Sequence, residues 1–198
     1  MHNYIPISVF KHVIKHYMSK IIIIGNYGAG KTSILNRYIS DKCNNTVPVT
    51  LGVEFTHKEY DEKLILWDTA GQERFESMST SFYHGVHAVI FVYDVSDMES
   101  FNGLNKWMRN YRACGNMDKS VAILLGNKVD LERVVRKEDA MGWAVKHRMC
   151  YGEVSAFTGE GVRAAFSTIV RQLSMLPEVR ENKQRLKEKL SKSDRCCY

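Results

Sequence analysis

The chain has 198 residues, of which 44% are hydrophobic and 25% charged, and a net charge of +6. That length suits one domain with tails, and no apolar run approaches the ~20 residues that a membrane helix needs. The positive charge is partly concentrated in the tail, which points to a membrane surface more than to a nucleic-acid groove, and five cysteines without a secretory signal argue for reduced thiols in the cytosol.

In residues 1–17, Val9, Phe10, Val13, Ile14 and Tyr17 share a prospective helix face, but Lys11, His12, Lys15 and His16 break the stretch too often for a signal peptide. Residues 1–19 therefore read as an N-terminal extension. A buried strand is expected over Lys20–Ile24, from its run of four isoleucines. Gly25-Asn26-Tyr27-Gly28-Ala29-Gly30-Lys31-Thr32 follows, with the spacing G-x-x-x-x-G-K-[ST], and Ser33 opens a helix-spaced segment over Lys31–Ser40. A strand, a glycine loop and a helix N-terminus aim backbone N–H groups and a positive helix end at one point, where phosphate oxygens fit. In such a loop Lys31 reaches the β- and γ-phosphates and the Thr32 hydroxyl binds Mg²⁺. ATPases, kinases and GTPases share it, so the loop alone does not name the base.

Strands are expected next over Gly52–Glu59 and Lys63–Trp67. Their link at Tyr60-Asp61-Glu62 is too short for a crossover and predicts an antiparallel hairpin. Asp68-Thr69-Ala70-Gly71-Gln72 closes the second of them. An acid there can hold Mg²⁺ through water; an ordinary strand-end helix cap is the lesser reading of Asp68 alone. Gly71 can bring its N–H close to a γ-phosphate, and Gln72 lies where an amide orients the attacking water. A helix over Arg74–Tyr83, a strand over His87–Asp94, a helix over Met98–Tyr111 and a strand over Val121–Gly126 follow. Asn127-Lys128-Val129-Asp130 ends that strand. The Asp130 carboxylate can accept from guanine N1 and its 2-amino group, a donor pair that adenine lacks, while the Lys128 stem covers one face of the base. A helix over Lys137–His147 and a strand over Cys150–Val154 lead to Ser155-Ala156, where the Ala156 N–H can donate to guanine O6. A helix over Val162–Leu176 completes the domain. The order predicts an α/β fold in three layers: a six-stranded mixed sheet, five strands parallel and one antiparallel, with helices on both faces and ligands at the carboxyl ends of the strands.

With these elements in this order the chain resembles the small GTPases of the Ras superfamily, and the Rab branch most. The resemblance rests on Leu51-Gly52-Val53-Glu54-Phe55, on the run from Lys63 through Trp67-Asp68-Thr69-Ala70-Gly71-Gln72 to Phe75, on Ser81-Phe82-Tyr83-His84-Gly85, and on Phe91-Val92-Tyr93-Asp94-Val95-Ser96. It covers about residues 20–176, leaving 177–198 as a hypervariable tail. It implies a P-loop GTPase fold and a switch for vesicle and membrane traffic that hydrolyses GTP to GDP with Mg²⁺. Thr50 would bind Mg²⁺ and the γ-phosphate, so that Gln72, Lys31 and Thr50 carry catalysis. Two loops, about residues 41–55 and 69–83, would order with GTP and relax on hydrolysis. Effectors would read Phe55, Trp67 and Phe82, for which core packing is the other reading. The resemblance further implies a monomeric domain, an exchange factor, an escort chaperone of the GDI type, and an activating protein whose arginine finger is worth roughly 10³–10⁵ in rate.

The tail carries seven Lys/Arg against four acids from Glu178 to Tyr198 and ends Cys196-Cys197-Tyr198. Arg195 excludes a C-a-a-X box, whereas Rab-like tails carry paired cysteines for geranylgeranyl groups. Peripheral attachment to the cytosolic face of an endomembrane follows from that resemblance. Four features depart from the family pattern. Tyr27 fills a usually small slot beside the γ-phosphate, which favours slower stimulated hydrolysis and keeps open a second reading as a guanine-nucleotide-binding module with very low turnover. Cys43 stands where a ring often covers guanine, Phe157 replaces a lysine, and the hairpin at Tyr60 is short.

Overall fold

The computed structural model describes residues 18–41, 53–57, 62–68, 80–177, 179–181 and 184, with side-chain surroundings omitted for 18, 53–57, 62–63, 68 and 80–81. Strand β1 (Met18–Ile24) lies inside a sheet ordered β2-β3-β1-β4-β5-β6, built with β2 (Val53–His57), β3 (Glu62–Asp68), β4 (Ala88–Asp94), β5 (Val121–Asn127) and β6 (Cys150–Glu153). β3, β1, β4, β5 and β6 run parallel, and β2 pairs with β3 in antiparallel register, Phe55 opposite Leu64.

Successive residues of a strand face opposite sides of a sheet, and a sheet covered on both sides needs apolar residues at every position. The isoleucine run meets that demand. Ile21 and Ile23 enter a core with Ile34 and Leu35 of α1 (Lys31–Ser40) and with Phe166, Ile169 and Leu173 of α4 (Val162–Leu173). Ile22 and Ile24 enter the opposite core with Leu104, Trp107 and Tyr111 of α2 (Met98–Cys114) and with Ala140 and Ala144 of α3 (Lys137–Lys146). Each fully buried side chain of this size contributes roughly 1.5–3 kcal/mol.

Element boundaries differ from expectation for local reasons. α2 runs to Cys114, beyond the expected Tyr111, and starts where the Asp97 carboxylate accepts from the Glu99 and Ser100 amides. α4 stops at Leu173 rather than Leu176, because the Met175 and Leu176 amides turn back three residues to Gln172 and Leu173. Of the expected helix over Arg74–Tyr83, residues 74–79 lie outside the described residues, and Thr80–Tyr83 forms a 3₁₀ turn. Among the described residues no helix is long and apolar enough to cross a membrane.

Candidate functional site

The phosphate-type loop leaves β1 at Gly25 and enters α1 at Lys31. Gly25, Gly28 and Gly30 take φ of 151°, 78° and 87°, in the region that side chains disfavour. A Cβ on Gly25 would stand 2.1 Å from the Val92 carbonyl oxygen, and one on Gly30 would stand 2.2 Å from Asn127 Nδ2. A Cβ on Gly28 would meet nothing within 4 Å, so this glycine borders open space. Gly30 caps α1 without any side-chain cap, which leaves the first-turn amides to the loop and its contents. The buried Lys31 ammonium donates to the Gly25 and Asn26 carbonyl oxygens, both at 2.8 Å, and so folds along the loop.

Asn127 joins this loop to the end of β6. Its Nδ2 donates to the Ala29 carbonyl at 2.9 Å, and its Oδ1 accepts from the Ala156 amide at 3.1 Å. The Ser155 hydroxyl donates to Asp130 Oδ1 and accepts from the Thr158 amide at 3.0 Å. Lys128 sits at φ 66°, and its ammonium lies 2.6 Å from Asp94 Oδ2, with its Cε 4.0 Å from where a Gly30 Cβ would stand. Burial opposes ionisation of Asp94, but bonds from Lys128 and Ser96 outweigh it and hold the carboxyl below the ordinary carboxylate range.

The structure thus brings Gly25, Gly28, Ala29, Gly30, Lys31, Asn127, Lys128, Asp130, Ser155 and Ala156 to one end of the sheet; Thr32 and Ser33 begin α1 there. Asn26 belongs to the loop, but its side chain turns away: Oδ1 accepts from Trp107 Nε1 at 2.9 Å, and Nδ2 donates to the Glu99 carbonyl at 3.4 Å. Tyr27 is 72% exposed and Phe157 69%, both on the rim. β3 places Asp68 opposite Ile23, beside the loop. Thr50, Gly71, Gln72, Cys43, Cys196 and Cys197 lie outside the described residues, as do the side chains of Asp68 and Phe55.

Of the three aromatic residues expected to meet effectors, Phe82 is only 9% exposed and packs edge-on against Trp67, 6.0 Å between ring centroids. Phe82 therefore belongs to the core rather than to an open patch. The Lys20 ammonium sits 4.9 Å from the Trp67 ring and donates to the Phe82 and His84 carbonyls; burial lowers its pKa.

Two contributors escaped the sequence reading. Arg37 of α1 donates Nε to the Ala156 carbonyl at 2.8 Å, Nη1 to the Asp41 carbonyl at 2.9 Å, and Nη2 to the Phe157 carbonyl. Its acceptors at 156 and 157 are remote in sequence, so no local pattern marks it. Asp94 did carry a signal, since it ends a buried strand as Asp68 does.

The residues present fit a Mg²⁺–nucleotide: an uncapped helix N-terminus, a glycine cradle facing open space, an ammonium in the loop, and a carboxylate paired to a hydroxyl at the far side. Comparison with known proteins agrees. The Ras family model matches residues 20–175. Rab-18 of Lymnaea stagnalis is 40% identical over 164 residues, covering 80% of this chain and 81% of that protein. Rab7 of Cenchrus ciliaris is 41% identical over 165 residues (77% and 80%), and Rab-13 of Canis lupus familiaris 37% over 166 (79% and 80%). The chain belongs to the Ras family of small GTPases, in its Rab-like branch.

Proposed function

We propose that this Rab-like GTPase acts as a GTP/GDP-dependent switch in intracellular membrane traffic, through the pocket that Asn127 spans. The observation that carries the reading is that one buried amide side chain bonds both the phosphate-type loop, at Ala29, and the base-type loop, at Ala156.

In this reading the backbone from Gly25 to Ser33 cradles the phosphates. The Lys31 ammonium exchanges its loop carbonyls for phosphate oxygens. Asp130 accepts from guanine, Ala156 donates to O6, and Lys128 and Phe157 cover the base. Thr32 and Thr50 would hold Mg²⁺, with Asp68 behind a water, and the ion would supply charge neutralisation at the phosphoryl group. Gln72 orients the attacking water, aided by the Gly71 amide. Residues 20–176 form the switch domain, between an N-terminal extension over 1–19 and a tail over 177–198. Effectors, an exchange factor, an activating protein and a GDI-type escort are the expected protein partners. Cys196 and Cys197 carry prenyl groups that hold the protein on the cytosolic face of an endomembrane.

Single-turnover hydrolysis of preloaded GTP tests the enzymatic half. Gln72→Leu is expected to lower the rate at least tenfold with nucleotide affinity unchanged; an unaltered rate would remove Gln72 from the mechanism. Mass spectrometry of protein from a eukaryotic cell tests attachment, since unmodified Cys196 and Cys197 would refute it. The exposed Tyr27 on the loop rim favours one alternative, a guanine-nucleotide module that hydrolyses very slowly even with an activating protein.

A further inference from the structure

The amino ends of the parallel strands form the face opposite the nucleotide loops, and a cleft of about 590 Å³ opens there. Arg112 in the last turn of α2, Lys146 in the last turn of α3, and His147 and Arg148 beyond it line one side. Asn116, Asp118 and Ser120, just before β5, line the other. Arg112, Lys146 and Arg148 are exposed, and no ion pair involves them among the described residues. Asp118 is the carboxylate on the rim, so three cations face one acid. Arg112 Nη2 donates to His147 Nδ1 at 3.1 Å, which leaves this imidazole as an acceptor.

The negative end of a helix accounts for one cation in each last turn. It does not account for Arg148, which lies past α3 in left-handed backbone at φ 57°. Nor does it account for the convergence of all three cations on one cavity. The chain supplies a second observation. α4 runs back to this same end, where Gln172 Nε2 bonds Cys150 Sγ at 2.8 Å, two residues from Arg148. The tail that follows α4 in sequence carries an excess of three positive charges. β5, at about 3.3 Å per residue over seven residues, holds the cleft roughly 23 Å from the base-type loop.

We infer that this cleft binds the phosphate group of an anionic membrane-lipid headgroup, so that the domain rests on the bilayer by the face opposite its nucleotide. A guanidinium pair and an ammonium around a cavity suit a phosphomonoester, and a basic tail in the same chain adds attraction to anionic lipid. The inference does not depend on Cys196 and Cys197 being lipidated.

The test uses the full, unlipidated chain in flotation with phosphatidylcholine vesicles carrying phosphatidylinositol phosphate, or phosphatidylserine at equal surface charge. Binding is expected to favour the phosphoinositide vesicles. The triple variant Arg112→Gln, Lys146→Gln, Arg148→Gln should bind them roughly a hundredfold more weakly, at about 1 kcal/mol per cation, with GTP hydrolysis unchanged. Arg148→Gln alone, past the helix end, should cost about fivefold and guards against misfolding of the triple variant. Three results would overturn the inference: wild-type binding by the triple variant, equal binding to both anionic vesicles, or saturation of the Ser120 and Arg148 amide signals by inorganic phosphate as tightly as by vesicles. The last would assign the cleft to a free phosphate compound instead.

Discussion

Asn127, Asp130 and Tyr27 illustrate three degrees to which a residue announces its work. Asp130 announces itself through its neighbours in sequence, and the bond from the Ser155 hydroxyl aims it. Asp130→Asn should lower GTP affinity roughly 10–100-fold, the cost of buried groups left unpaired, while raising affinity for XTP, because the new amide donates where the carboxylate accepted. Competition binding with the two nucleotides checks this, and undiminished GTP preference would refute it. Asn127 announces its motif but not its partners: that its amide spans to Ala29 is visible only once the sheet has aligned β1 with β5. Tyr27, exposed on the rim of the loop, announces nothing of its work in a motif that leaves its position open. Tyr27→Ser should raise hydrolysis stimulated by an activating protein and leave intrinsic hydrolysis unchanged; equal stimulated rates for both proteins would dismiss the steric argument.

Among the elements, α1 bonds to the segment that follows β6, and the glycine loop to Asn127 at the end of β5. Arg37 ties α1 to Ala156 and Phe157 and to its own C-cap at Asp41, where Arg163 of α4 adds an ion pair at 3.1 Å. A lysine concentrates its donors on one nitrogen, whereas the Arg37 bonds leave from three. Arg37→Lys is therefore expected to speed GDP release about tenfold, equivalent to one or two lost hydrogen bonds, measured by displacement of a fluorescent GDP. An unchanged off-rate would separate this link from nucleotide retention. Gly25→Ala would drive a Cβ into the Val92 carbonyl and should lower the denaturation midpoint markedly, whereas Gly28→Ala meets open space and should cost only the left-handed backbone, about 1 kcal/mol. The strands and the loop between Gly25 and Thr32 were readable because hydrophobic runs and glycine spacing are local. The burial of Phe82 was not, because whether an aromatic faces effectors or the core depends on Lys20 and Trp67, remote in the chain.

For the whole molecule, the order of strands and helices was legible from alternation alone, and the two cores follow from the odd and even isoleucines of β1. The network under the base-type loop was not legible. There Tyr151 donates to Glu153 at 2.6 Å, Arg133 pairs with the same carboxylate at 2.9 Å, and Tyr93 and Tyr151 bond through their hydroxyls at 3.1 Å. Burial opposes the Glu153 charge, yet Tyr151 and Arg133 outweigh it and hold the carboxyl below its usual range. The stabilisation it gives is thus present above about pH 4.3 and lost as pH falls through the lower folded value. Glu153→Gln should destabilise the protein to urea at neutral pH, with the gap to wild type narrowing by about pH 3; a gap constant with pH would contradict the network. The whole account rests on a single pocket that selects guanine nucleotide with Mg²⁺. Equilibrium competition on the purified full chain tests it most directly: GTP and GDP should displace a fluorescent guanine nucleotide at micromolar concentrations or below, while ATP should fail to do so even in large excess. Equal displacement by ATP, or no retained guanine nucleotide in the presence of Mg²⁺, would contradict the account.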